Sequence, residues 1–145
     1  MSAHTEVQQL GELLGLPDPA GLSHLSLSEE LVHGLSVSAL DRLAQEIAPG
    51  DKAFPEMIVS RATLKRRRRE KRPLSAYESE KLARTAGVWR MALDVYRDED
   101  HARRFLHQPH PLLEGRTPLA LAVESSVGAE AVEHILGRLK YGSAA

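Results

Sequence analysis

No cysteine occurs among the 145 residues, which excludes disulfides and thiolate metal sites. Aromatic residues make up only 4% of the chain, against 42% hydrophobic residues in all. A core must therefore come from Leu, Val, Ile and Ala, a mixture that favours helices packed on helices. No apolar run approaches the roughly 18 residues that a membrane span needs. The first ten residues, MSAHTEVQQL, lack a basic stretch followed by an apolar one. A secretory leader is not expected, and the default compartment is the cytoplasm. There is no nucleophile elbow, no phosphate-cradling glycine loop and no H-E-x-x-H helix. No enzyme activity and no cofactor are expected.

Charge is present in quantity but unevenly. Residues 61–72, RATLKRRRREKR, hold eight basic side chains and one acid, while the whole chain has a net charge of -1. The rest of the molecule is thus acidic, and the cationic strip can bind an anion locally without making the whole surface adhesive. On a helix, Arg61, Lys65, Arg68 and Arg72 share one face, flanked by Arg66 and Arg69. Such a face can span neighbouring phosphates and release their counterions, and arginine can read guanine edges. A solvated helix is the plainer explanation. Four consecutive arginines repel one another, however, and this weighs toward an anionic partner.

The helical punctuation is legible along most of the chain. In residues 1–26, Val7, Leu10, Leu13 and Leu14 have helical spacing, and Gly15, Pro17, Asp18 and Pro19 then break it; a short helix followed by a mobile linker is expected. Leu40, Leu43, Ala44 and Ile47 predict an amphipathic helix over 36–48, capped by Ser36 or Ser38 and ended by Pro49-Gly50. A short helix over 51–59 is constrained by Pro55, which sits well only in a first turn. Ser60 then caps the basic helix, which has no apolar residue past Leu64, and Pro73 stops it. Ser75 to Glu78 form a capping box for a long helix with the stripe Leu82, Ala86, Trp89, Ala92, Leu93 and Tyr96. A short helix with Ala102, Phe105 and Leu106 inward follows. Thr117-Pro118 is an N-cap with proline at the first position. The last helix presents Ala129, Val132, Leu136 and Leu139. Gly137 inside it, worth up to about 1 kcal/mol against alanine, suggests close approach of another backbone or an early end. No strand signal and no internal repeat is present.

Three constellations bear on function. Residues 36–72 resemble a helix-turn-helix whose third helix, 60–70, would be the recognition element. The turn before Ser60 has no glycine and Pro55 lies inside the second helix, so the motif is irregular, and an ordinary packing unit explains it almost as well. His101, His107 and His110 cluster in HARRFLHQPH, but no carboxylate or cysteine is in useful register, and surface histidines account for them better than a zinc site. The third constellation is the C-terminal stretch, in which a G-R-T-P turn leads into a helix and G-R-L-K-Y-G forms an end that could enter a partner's pocket. A frayed terminus is the plainer reading of that end.

Four short motifs occur in order: T-L-x-R-R at Thr63 to Arg67, L-S-x-x-E-S-x-x-L-x-R at Leu74 to Arg84, G-R-T-P-L at Gly115 to Leu119, and G-A-x-x-V-x-x-x-L-x-R-x-x-Y-G at Gly128 to Gly142. Their order over about residues 36–142 resembles the ParS/MbcA/Xre-type antitoxins, partners of RES-domain toxins in bacterial type II toxin–antitoxin systems. The resemblance implies an all-α protein with an N-terminal helix and linker over 1–35, a helix-turn-helix-like region over 36–74 that binds promoter DNA and dimerises, and a toxin-binding helical bundle over 75–145. It implies that the C-terminal helices block the cleft where NAD enters an NAD-consuming toxin. The toxin contacts would fall on Gly115, Arg116, Thr117 and Pro118 with Arg138, Lys140 and Tyr141. Tyr141 and a terminal carboxylate would meet donors in that cleft, or Lys140 would pair with a toxin carboxylate. DNA contacts would fall on Arg61, Lys65, Arg66, Arg68, Arg69 and Arg72. The rival readings are a stand-alone helix-turn-helix repressor and a helical scaffold without an anionic partner.

Overall fold

The computed structural model describes residues 3–142, and among them every regular element is helical. Two compact units divide the chain, one reaching to Ala86 and the other starting at Gly87.

The first unit holds α1 (Ala3–Leu13), α2 (His24–His33), α3 (Val37–Ile47), α4 (Ala53–Ile58), α5 (Arg61–Glu70) and the opening half of α6 (Ala76–Tyr96). The segment expected to be a mobile linker is folded. A 3-10 turn at Pro19–Gly21 leads into α2, whose N-cap Ser23 exchanges side-chain-to-amide hydrogen bonds with Ser26. Val7, Leu22 and Leu27 form a small buried cluster, with Leu10, Leu16 and Leu31 against it. Here serine replaces the glutamate of a typical capping box, which hides the helix start from a motif search.

In α3, Leu40, Leu43 and Ile47 are fully buried, as their spacing predicts. Ser36 occupies the N-cap, but its hydroxyl meets Ser38 Oγ at 2.6 Å and caps no amide. In α4, Pro55 is the third residue and so lies in the first turn, where a missing N–H costs no helical bond. The turn into α5 consists of Val59 and Ser60, with φ of -137° and -57°. Neither is left-handed, so the turn needs no glycine, and the irregularity expected of the helix-turn-helix disappears.

The loops before α3 and before α6 lock together. Gly34 has φ 103°, and a Cβ there would stand 2.2 Å from the Leu74 carbonyl oxygen. Leu74 N donates to Leu35 O at 2.8 Å, and Leu35 N donates to the buried Ser79 Oγ at 2.8 Å. The expected capping box forms at the start of α6: Ser75 N donates to Glu78 Oε1 at 2.8 Å, and Glu78 N donates to Ser75 Oγ at 3.1 Å.

The second unit holds the rest of α6 with α7 (Glu99–His107), α8 (Pro118–Glu124) and α9 (Ser126–Lys140). Asp98 caps α7, and Ala102, Phe105 and Leu106 are buried. Thr117 Oγ1 accepts from Ala120 N at 3.2 Å with Pro118 first in the helix, as predicted. The close helix approach lies at Gly128, where an added Cβ would stand 2.3 Å from the Leu121 carbonyl. Gly137 has open space, and α9 continues past it to Lys140. Ala129, Val132, Ile135 and Leu136 are buried, whereas Leu139 is 47% exposed. The apolar stripe thus stops one turn before the helix does. No helix of the described residues is long and apolar enough to cross a membrane.

Candidate functional site

The basic helix is anchored along one side and solvated along the other. Ser60 Oγ accepts from Thr63 N at 3.3 Å, and Leu64 is buried. At the far end, Lys71 takes a left-handed conformation with φ 54°, and Arg72 N reaches back to Arg67 O at 3.0 Å. This pattern closes the last helical turn and turns the chain away. Arg72 therefore lies beyond α5 and does not share a helical face with Arg61, Lys65 and Arg68.

The arginines divide by task. Arg68 grips Asp41 on α3 with both terminal nitrogens, at 2.9 and 2.8 Å, and that hydrogen-bonded carboxylate pushes its pKa further up. Arg67 is largely buried and pairs with Glu78, the same carboxylate that accepts from Ser75 N. Burial alone pushes the Glu78 carboxyl up. The Ser75 amide and the Arg67 guanidinium outweigh burial and hold it below its ordinary value. Arg61, Lys65, Arg66 and Arg72 are exposed and make no ion pair among the described residues, while Arg69 is exposed with Glu70 3.8 Å away. Open clefts flank the end of α5. One of about 570 Å³ includes Ser36, Arg68, Lys71 and Arg72 in its lining, and one of about 360 Å³ includes Arg66, Arg67 and Arg72.

In the second unit, Glu114 and Gly115 both have positive φ, 56° and 82°, and turn the chain toward α8. Gly115 and Arg116 are exposed, Thr117 is half-buried with its hydroxyl occupied by the cap, and Pro118 is buried. Pro118 is thus a helix starter rather than a surface contact. Arg116 pairs with Glu124. At the end of α9, Arg138 is exposed and Tyr141 is 78% exposed. Lys140 pairs with Asp94 on α6; that hydrogen bond raises the lysine pKa and lowers the aspartate's. Lys140 is part of the helix and tied to its own unit, so it is not a loose tail residue. No hydrogen bond or ion pair among the described residues joins Gly115–Pro118 to Arg138–Tyr141. The terminal carboxylate lies outside the described residues. Leu112 and Val127 add exposed apolar surface.

The histidines have local tasks. His101 Nδ1 meets its own helix cap, Asp98 Oδ2, at 2.5 Å, and His110 Nδ1 accepts from Leu112 N at 3.1 Å. Among the described residues no cluster suited to a metal ion occurs.

Residues 26–87 match the model of the antitoxin Xre-like helix-turn-helix domain, and residues 91–142 match that of the antitoxin Xre/MbcA/ParS C-terminal toxin-binding domain. The chain belongs to the Xre/MbcA/ParS antitoxin family. An Antitoxin Xre of Pseudomonas putida is 27% identical over 141 residues, covering 96% of this chain and 85% of that protein. The antitoxin is thus an all-helical two-part protein, with its helix-turn-helix domain first and its toxin-binding domain second, and its family is not one of enzymes. Within the antitoxin, α4 and α5 are joined by the two-residue turn Val59–Ser60, and each packs on α3. The sequence reading missed the intramolecular partners Asp41 and Glu78, although Glu78 was already assigned to the capping box. A basic run with a carboxylate one helix away gives no local signal.

Proposed function

We propose that this antitoxin neutralises a RES-domain, NAD-consuming toxin encoded beside it, by placing its second unit over the toxin's NAD cleft. The reading rests on the residue pattern of G-R-T-P-L and the final G-A-to-Y-G helix. The observation that carries it is the exposure of Tyr141 and Arg138 at the end of α9, in a unit whose other aromatic rings are buried (Trp89, Phe105) or half-buried (Tyr96). An exposed aromatic beside a cation is the kind of anchor that dominates protein interfaces. Gly115 and Arg116 supply a second exposed element. Thr117 and Pro118 support it from beneath, and Lys140 positions the α9 end through Asp94.

In this reading the first unit binds the promoter of the antitoxin's own operon in the cytoplasm, as a homodimer within the toxin complex. Arg61, Lys65, Arg66 and Arg69 line the solvated side of α5, Arg72 reaches in from beyond its end, and Arg68 braces the helix against α3. Co-expression with the product of the adjacent reading frame tests the proposal. A stable complex and restored growth are expected, both lost in the Arg138→Ala/Tyr141→Ala double variant. No assembly and no protection would refute it, and DNA binding without either would favour the stand-alone repressor.

A further inference from the structure

Residue 110 closes the loop that carries Gly115 and Arg116. Its amide donates to Arg116 O at 3.1 Å, and its carbonyl accepts from Leu113 N and Gly115 N, both at 3.0 Å. Any residue but proline could make those backbone bonds. The ring adds two contacts that few side chains can make. Nδ1 accepts from Leu112 N at 3.1 Å, and the ring stands edge-on to Phe105, with centroids 6.0 Å apart at 72°. Phe105 is itself buried and stacked at a tilt on Tyr96, with centroids 5.7 Å apart.

The hydrogen bond has a specific logic. Pro111 follows and has no N–H, so the first free amide of the 3-10 turn Pro111–Leu113 is that of Leu112. An acceptor two bonds beyond Cβ on residue 110 reaches it, as the side-chain oxygen of Asn or Asp does in an Asx turn. The bond also fixes the imidazole chemistry: Nδ1 must be unprotonated, leaving the proton on Nε2. Without it, the Leu112 amide has only water as a partner, and the turn through the left-handed Glu114 and Gly115 is held by backbone bonds alone.

We propose that His110 is a positioning residue for toxin recognition, its Nδ1 holding the 110–116 loop in the shape that presents Gly115 and Arg116. The toxin part of this inference rests on the proposed toxin contacts at that loop, whereas the shaping of the loop stands alone. His110→Asn keeps an acceptor at the same place, His110→Gln moves it one bond out, and His110→Ala removes it. Nitrogen NMR of the full-length protein reads the tautomer, and amide exchange reads the Leu112 hydrogen bond. The Nε2–H form is expected in the wild type. Leu112 protection should be retained in the Asn variant and reduced about tenfold in the Gln and Ala variants, the loss of one ordinary hydrogen bond.

Titrating the same variants with the purified product of the adjacent reading frame, at melting temperatures matched to the wild type, should reproduce that order, with Asn rescuing affinity. An Nδ1–H tautomer, or Leu112 protection indifferent to residue 110, would overturn the shaping of the loop. Protection lost in the Ala variant with unchanged toxin affinity would overturn the positioning role if Arg116→Ala weakens toxin binding. If Arg116→Ala also has no effect, the assignment of this loop to the toxin has failed instead, while the tautomer and exchange results still decide the loop chemistry.

Discussion

Ser79 Oγ accepts the amide of Leu35 at 2.8 Å across 44 residues of chain, and Ser79 has no exposed surface. This bond satisfies a backbone donor at the point where the loops before α3 and before α6 meet. Replacing Ser79 with alanine leaves that N–H buried and unpaired, which costs about 1–3 kcal/mol. Thermal unfolding of Ser79→Ala should show a melting point several degrees lower, and an unchanged one would mean that the pairing contributes nothing.

Glycine substitutions should split by sign. Gly34→Ala and Gly128→Ala drive a Cβ into a backbone carbonyl, at 2.2 Å from Leu74 O and 2.3 Å from Leu121 O. Both should destabilise, Gly34→Ala the more because its φ is 103°. Gly137→Ala and Gly87→Ala meet nothing within 4 Å in helices and should stabilise by up to about 1 kcal/mol each. Urea denaturation of the four variants checks the split.

Acid should selectively weaken the first unit's Arg67–Glu78 junction. The Glu78 carboxyl is held below its ordinary value in the folded chain, so the unfolded state binds its proton first as pH falls. The contribution is present above the unfolded value, about 4.3, and is lost as pH drops through the folded one. The stability gap between wild type and Glu78→Gln should be open at neutral pH and should shrink as pH falls below the unfolded value. A gap independent of pH would contradict the ion pair as its source.

DNA binding, measured against salt, should sort the arginines. Each neutralised phosphate contributes about 0.9 to the slope of log affinity against log salt. Arg66→Ala and Arg69→Ala should each flatten that slope. Arg68→Ala should lower thermal stability more than it changes the slope, because its guanidinium is committed to Asp41. Equal slope changes at all three positions would show that the Asp41 pair opens on DNA.

Toxin binding should depend more on Tyr141 than on its neighbour. Tyr141→Ala removes an exposed ring, while Lys140→Ala removes a side chain already paired with Asp94. Calorimetric titration with the partner protein should give the larger loss of affinity for Tyr141→Ala, and the reverse order would place Lys140 in the interface.

Local chemistry made much of this molecule legible in advance. The Ser75–Glu78 capping box, the Thr117-Pro118 start and the buried spacing of Leu40, Leu43 and Ile47 are all set by neighbours within one or two turns. What escaped depends on distant chain segments. Pro55 is harmless because α4 begins at Ala53, a register that composition does not reveal. Gly128 rather than Gly137 marks the close approach because Leu121 lies against it. The basic run read as one cationic face, but Asp41 and Glu78 hold two of its arginines from other helices. α2 was lost because serine does the capping usually signalled by glutamate.

The length of α6 also bears on how the parts can be studied separately. The match to the toxin-binding domain begins at residue 91, in the middle of a helix that starts at Ala76. A fragment cut there would shed the Ser75–Glu78 cap and Trp89, whose ring meets Arg103 at 5.7 Å. It would also leave fresh amides at a severed helix end. A portable toxin-binding fragment of this chain should therefore begin at Ser75, so that its first helix brings its own beginning with it.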